Sequence, residues 1–158
     1  MWTPLYIKYA EDYIGKLPRG ATVDLYKVLC GPIAARILAD MMGVPQISDN
    51  TMQHWSQALI DGAGNFGWQP ELFAISDKAN EEMDACFESR IEPLKSEPDN
   101  SALSVMINAD KPIPLSQVFS NIKIAIGGGI NEPRDALATV LYGLLTCLLY
   151  TSPSPRDS

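Results

Sequence analysis

The chain has 158 residues, 46% hydrophobic and 20% charged, with a mean hydropathy of -0.02, which suits one folded domain with a real core and excludes an extended disordered chain. Its net charge is -7 and its lysines and arginines are scattered, which argues against a nucleic-acid partner, because phosphate binding rests on clustered basic residues. Cys30, Cys86 and Cys147 lie far apart and His54 is the only histidine, which excludes a zinc cluster and a dense disulfide framework and makes a reducing cytoplasm the expected setting.

The N-terminus, Met1-Trp2-Thr3-Pro4, has no basic stretch followed by an apolar one, so no signal peptide is expected. Leu5, Ile7, Tyr9, Tyr13, Ile14 and Leu17 predict a helix over Leu5 to Leu17, ended by Pro18 and Gly20. Asp24 is placed to cap the next element. Leu25, Val28 and Leu29 lead to Pro32, which either starts a fresh turn or kinks the helix that continues through Ile33, Ile37, Leu38 and Met41. Gly43 suits the residue after its end, with Pro45 just beyond. Ser48 or Asp49 caps a helix carrying Met52, Trp55, Leu59 and Ile60, which frays at Gly62 to Asn65.

A longer helix is predicted from Pro70 to Leu94, with Leu72, Ile75, Ala79, Met83, Phe87 and Ile91 on one stripe. A polar loop follows, then a short helix from Ala102 to Ile107 and a turn from Asp110 to Pro114. Ser116 is expected to cap the last and longest helix, and no strand is predicted. Gly127-Gly128-Gly129 falls inside that helix, where three glycines cost roughly 2–3 kcal/mol relative to alanine. Such a breach of local preference points to function. The tail from Cys147 to Ser158, CLLYTSPSPRDS, cannot extend the helix through Pro153 and Pro155. It resembles translated sequencing-adapter read-through and is set apart as non-native, with a disordered natural terminus as the alternative.

The stretch from Ile122 to Thr146 carries the chemistry. Glycines strip side chains from the helix so that something bulky can approach its backbone. Pro133 brings no amide hydrogen, which leaves the Gly129 carbonyl without its helical partner. With Asn131 and Glu132 this makes a small polar notch, a seat for water or a diatomic ligand. A phosphate-cradling loop is disfavoured because no Lys-Ser/Thr or GxGxxG continuation follows the glycines. The apolar run from Ala136 to Tyr150 is short of the ~20 residues that span a bilayer, so no membrane partner is expected. Arg36 and Asp40 read as a surface pair, and Asp135 as a solvated charge. Trp55, Trp68 and Phe66 read as core in preference to a substrate channel.

This stretch resembles the central long helix of the cytochrome P450 family. Gly128 and Gly129 match its small pair and Ile130 its variable position, while Asn131 and Glu132 stand where the family has an acid and an alcohol. Val23-Asp24-Leu25, Pro32 to Pro45, Trp55 to Leu59, Ala102 to Met106 and Pro114-Leu115-Ser116 resemble the family's preceding elements in order and spacing. The resemblance implies an all-α fragment, an irregular helical array, of an α+β cytochrome P450 fold. Residues 1–146 would be a partial domain ending within the long helix, and 147–158 the non-native tail.

It further implies a haem monooxygenase parent acting on a small organic substrate with O2 and electrons from a redox partner such as a ferredoxin. Haem would lie against Ala125, Gly128 and Gly129, and substrate against Ile124 and Gly127. Asn131 and Glu132 would handle protons, with Glu132 paired to Arg134 or a distant cation as the alternative. The family's cysteine loop and Glu-x-x-Arg helix do not occur in the sequence, so the chain is expected to be inactive alone. The competing reading is a non-enzymatic helical interaction domain, which explains the amphipathic helices but not the glycines and Pro133.

Overall fold

A computed structural model describes residues 2–146; the tail set apart above lies outside them. Seven α-helices are described, with no strand among the described residues: α1 Thr3–Gly15, α2 Gly31–Met42, α3 Asp49–Ala63, α4 Pro70–Ser96, α5 Ala102–Ile107, α6 Leu115–Gly128 and α7 Asn131–Thr146. The fold is all-α, as the periodicity predicts.

Local chemistry sets most of the boundaries. The Asp24 carboxylate accepts the Tyr26 and Lys27 amides at 3.1 and 3.3 Å, which starts the chain into helix. Pro32 lies in the first turn of α2, so a fresh α-helical turn does start there. One π turn, Tyr26–Cys30, precedes it, and the Gly31 amide reaches back to the Tyr26 carbonyl. Gly43 closes α2 in the left-handed region at φ 93°, with its own amide and that of Val44 on the Ala39 carbonyl. Ser48, rather than Asp49, caps α3 by accepting the Thr51 amide, and Ser101 does the same for α5 at Ser104.

The core lies between α2, α3, α4 and α6. Met52 and Trp55 of α3 share one buried cluster with Met83 and Phe87 of α4, and Phe87 packs on Phe119 with ring centroids 5.4 Å apart. Ala79, Met83, Phe87 and Ile91 form the stripe expected on α4, but Leu72 is only partly buried and Ile75 is half exposed. Neither α1 nor α7 has a fully buried residue.

What fastens α1 is hydrogen bonding. Tyr6 donates to the Met41 sulfur at 3.4 Å, Tyr9 to Asp40 and Tyr13 to Asp49. Arg36 does pair with Asp40, at 3.9 Å, but the pair is largely buried rather than on the surface, and Asp49 is the nearer partner. Its Nε donates to Asp49 Oδ1 at 2.9 Å and its terminal nitrogens to the Pro45 and Ile47 carbonyls, all in a half-buried corner where α1, α2 and α3 meet. Burial and the bonds to Asp40 and Asp49 push Tyr9 and Tyr13 each up to about 12.

Two further expectations change. The last helix begins at Leu115 behind Pro114, so Ser116 is not its cap. It is also not one helix, nor the longest, since α4 has 27 residues. It breaks at Gly129–Ile130 into α6 and α7. Glycines stabilise helix poorly and Pro133 cannot donate to Gly129, so the break falls where two weak points coincide.

Candidate functional site

The break between α6 and α7 sorts the glycines by environment. A Cβ on Gly129 would collide with the Ala125 carbonyl oxygen and lie 2.9 Å from Leu38 Cδ2, so only glycine fits there. Gly127 is buried against Leu59, and its carbonyl accepts the hydroxyl of buried Ser56 at 3.0 Å. Gly128 is the opposite case: nothing lies within 4 Å of the Cβ it lacks. Ile124, one turn earlier on the same side of α6, is 75% exposed. Glu132 is exposed in the first turn of α7, where a negative charge suits the helix N-terminus.

Ile124 and Gly128 thus share an open face, and Glu132 is exposed across the break. Ala125 and Asn131 are half-buried, while Gly127 and Gly129 pack inward on α3 and α2. Among the described residues no backbone amide donates to the Gly129 carbonyl.

Glu132 does not pair with Arg134. That guanidinium lies over the Tyr26 ring, 4.6 Å from its centroid, and bonds Asp135 at 3.0 Å. The Tyr26 hydroxyl donates to the same Asp135 carboxylate at 2.7 Å, and these two bonds, Tyr26 first, hold that exposed carboxyl below its ordinary range. Asp135 is therefore a clamp between α7 and the π turn rather than a free solvated charge.

Two of the recesses along α6 and α7 reach the glycine segment. One, of about 390 Å³, lies between α3, α4 and α6, with Leu59, Ile60, Ala63 and Ile124 on its apolar side and Gly127 in its wall. It brings together Ile124 and Gly127, the two residues expected to meet substrate. Its other side carries Asn80, Ser120 and Lys123, and Lys123 Nζ stands 2.8 Å from Asp84. These polar residues were missed in the sequence, although Ser120, Lys123, Ile124 and Gly127 follow the spacing of one helix face. The second recess, of about 440 Å³, lies between α1, α2 and α7 and is apolar, lined by Tyr6, Leu38, Met41, Gly129, Pro133 and Leu137.

The aromatic residues divide. Trp55 is core, with its indole N–H on Glu82 at 3.0 Å. Phe66 and Trp68 are 90% and 80% exposed on the α3–α4 loop, where Asn65 brackets the Gln69 backbone and Trp68 takes φ 53°. Of the described thiols, Cys30 is fully buried and Cys86 half-buried, and burial raises both above the ordinary range. No described helix is long and apolar enough to cross a membrane.

No protein-family model matches the chain. It is 22% identical over 149 residues to the putative cytochrome P450 YjiB of Bacillus subtilis, covering 91% of this chain and 38% of that protein. It is 25% identical over 142 residues to linalool 8-monooxygenase of Pseudomonas putida, covering 85% and 34%. Its fold matches CYP109E1 of Bacillus megaterium, solved with testosterone, at a TM-score of 0.76 and 18% identity, over 94% of this chain and 40% of that one. Ligand-free cytochrome P450 TbtJ1 matches at 0.67 and 22% identity, over 80% and 34%. The chain spans little more than a third of the length of these curated relatives. Over that span the chain is similar in sequence, and alike in fold, to bacterial cytochrome P450 proteins.

Proposed function

We propose that the chain is one wall of a haem-dependent monooxygenase that inserts oxygen from O2 into a small organic substrate. The observation that carries this reading is Gly128, a glycine with open space above it, between exposed Ile124 and exposed Glu132 beside a break in the helix. A flat, rigid, largely apolar group fits such a face, because no side chain at 128 holds it off and Ile124 offers it apolar contact. Haem, when bound, supplies the oxygen activation and its transfer to carbon.

The chain's own residues would do the rest. Gly128 admits the ring, with Ala125 and Gly129 shaping the helix behind it. Ile124 and Gly127 present the substrate from the recess under α3. Asn131 can hydrogen-bond but not ionise, so it orients a water or Glu132. Glu132 can hold a proton at its carboxyl oxygens and release it on the open side of the break. The free Gly129 carbonyl holds the water between them. The exposure of Glu132 modifies the notch expected from the sequence, since the described residues leave that acid uncovered.

Residues 1–146 act in this reading as one incomplete catalytic unit of a cytoplasmic enzyme, fed with electrons by a ferredoxin-like partner. In this reading neither described cysteine serves as the axial thiolate: Cys30 is buried in the core, Cys86 is half-buried, and burial raises both thiols above the ordinary range. The chain alone, mixed with haem, reduced and exposed to carbon monoxide, should therefore show no band of thiolate ligation. A stoichiometric thiolate band would overturn the assignment. In the intact parent, Glu132→Gln should lower product formed per reduced cofactor by about 10²-fold, the low end of a general-acid contribution, with haem content unchanged. Unchanged coupling would make Glu132 structural.

A further inference from the structure

We infer that Ser56 is a positioning residue for the open face: its hydroxyl, donated from α3 to the Gly127 carbonyl, holds the helix broken between Gly128 and Asn131. As a statement about catalysis this rests on the monooxygenase reading above; as a statement about the backbone it stands without it.

In an unbroken helix the Gly127 carbonyl would accept the amide of Asn131, four residues on. Here α6 ends at Gly128 and Asn131 opens α7. The carbonyl is one of the last of α6 and the amide one of the first of α7, groups that a helix cannot satisfy within itself. Gly127 is buried, so water is no substitute, and the Ser56 hydroxyl reaches its carbonyl at 3.0 Å.

Other helical hydroxyls act differently. Ser96, Ser120, Thr139 and Thr146 each give their hydrogen to the carbonyl four residues back on their own helix. A hydroxyl has one hydrogen to give, and buried Ser56 gives it to another helix, 71 residues along the chain. A side chain that enters a helix's carbonyl ladder is a known cause of a kink. The glycines and Pro133 weaken the helix here, but they do not decide which carbonyl is drawn out or towards which neighbour. Ser56 decides both. The Gly127 carbonyl and the Gly128 amide belong to one planar peptide, so pinning the carbonyl pins the residue that makes the open face. Without the hydroxyl the buried carbonyl would turn to the donor that helix geometry brings to it, the Asn131 amide, against the clash that Pro133 makes with the Gly129 carbonyl.

The test uses the 158-residue chain without haem, so a failure of haem to bind leaves its outcome untouched. Amide hydrogen exchange is followed by NMR in the native chain, Ser56→Ala and Ser56→Thr. Lost stability quickens exchange, so a merely structural Ser56 predicts faster exchange at Asn131 in Ser56→Ala. The positioning role predicts the opposite sign. Asn131 should slow by about fivefold, the factor given by one net hydrogen bond, while the core amides of Met83 and Phe87 quicken or hold. The scalar coupling across the hydrogen bond, from the Asn131 nitrogen to the Gly127 carbonyl carbon, should be stronger in Ser56→Ala than in the native chain. Ser56→Thr keeps the hydroxyl and should return both readings to native values. Should Ser56→Ala fail to fold, Ser56→Cys, whose thiol is a weaker donor, gives the same comparison with the same sign. Faster or unchanged exchange at Asn131 in the variant that lacks the hydroxyl, or a Ser56→Thr chain that behaves like Ser56→Ala, would overturn the inference.

Discussion

Gly128 and Gly129 are adjacent, alike in sequence, and should respond to the same substitution with opposite signs. Gly128→Ala places a methyl in open space at the end of α6, where a Cβ meets nothing within 4 Å. Its main effect is lost freedom in the unfolded chain, a gain of about 0.5–1 kcal/mol. Gly129→Ala places the same methyl against the Ala125 carbonyl oxygen and the Leu38 methyls. Leu38 can turn away; a backbone carbonyl cannot, so the break must open and the packing of α7 on α2 with it. Overpacking of this kind costs about 1–3 kcal/mol. For a chain of this length 1 kcal/mol moves Tm by about 2–4 °C, so Gly128→Ala should raise it by about 1–4 °C and Gly129→Ala lower it by about 2–12 °C. Thermal unfolding by circular dichroism measures both. Shifts of the same sign would refute the assignment of an open glycine beside a closed one.

Arg36→Met should cost about 3 kcal/mol in urea unfolding, since it removes the cation bonded to Asp49 and leaves two loop carbonyls without their side-chain donor in a half-buried corner; Arg36→Lys should recover less than half, because an ammonium cannot reproduce the fork. Tyr9 and Tyr13 ionise near 10 in the unfolded chain and near 12 in the fold, so the folded state holds their protons more tightly. Their contribution is complete below pH 10 and is lost as pH rises through 12, about 1 kcal/mol each after solvent screening; Tyr9→Phe with Tyr13→Phe should flatten alkaline unfolding in that window. Ser56→Ala should cost about 1 kcal/mol by orphaning the buried Gly127 carbonyl, read as a lower urea midpoint at unchanged slope.

Features decided within a few residues were legible in the sequence. Asp24 and Ser48 reach amides two or three positions ahead, and Gly43 ends α2 by its own backbone. The bounds of α5 were read directly. Features decided across the fold were not. Arg36 pairs with Asp40 as read, but its closer partner, Asp49, is 13 residues away on another helix. Phe66 and Trp68 have core composition, yet the Asn65 bracket turns their loop outward. The glycines showed that the last helix carries something unusual, but which of them opens outward depends on Leu38 and Leu59 from other helices. Lys123, Ser120 and Asn80 escaped notice because two helices are needed to make their side of the recess.

The central claim is that the open face at Ile124, Gly128 and Glu132 receives haem. It is tested most directly by titrating substoichiometric ferric haem into amide-labelled chain and reading paramagnetic broadening residue by residue. The account predicts that the amides of Ile124, Gly128 and Glu132 broaden first, and that Gly128→Leu, which fills the open space, abolishes that broadening while the other amides keep their positions. Broadening centred on Phe66 and Trp68, or on the recess lined by Leu38 and Leu137, and unchanged in Gly128→Leu, would contradict it.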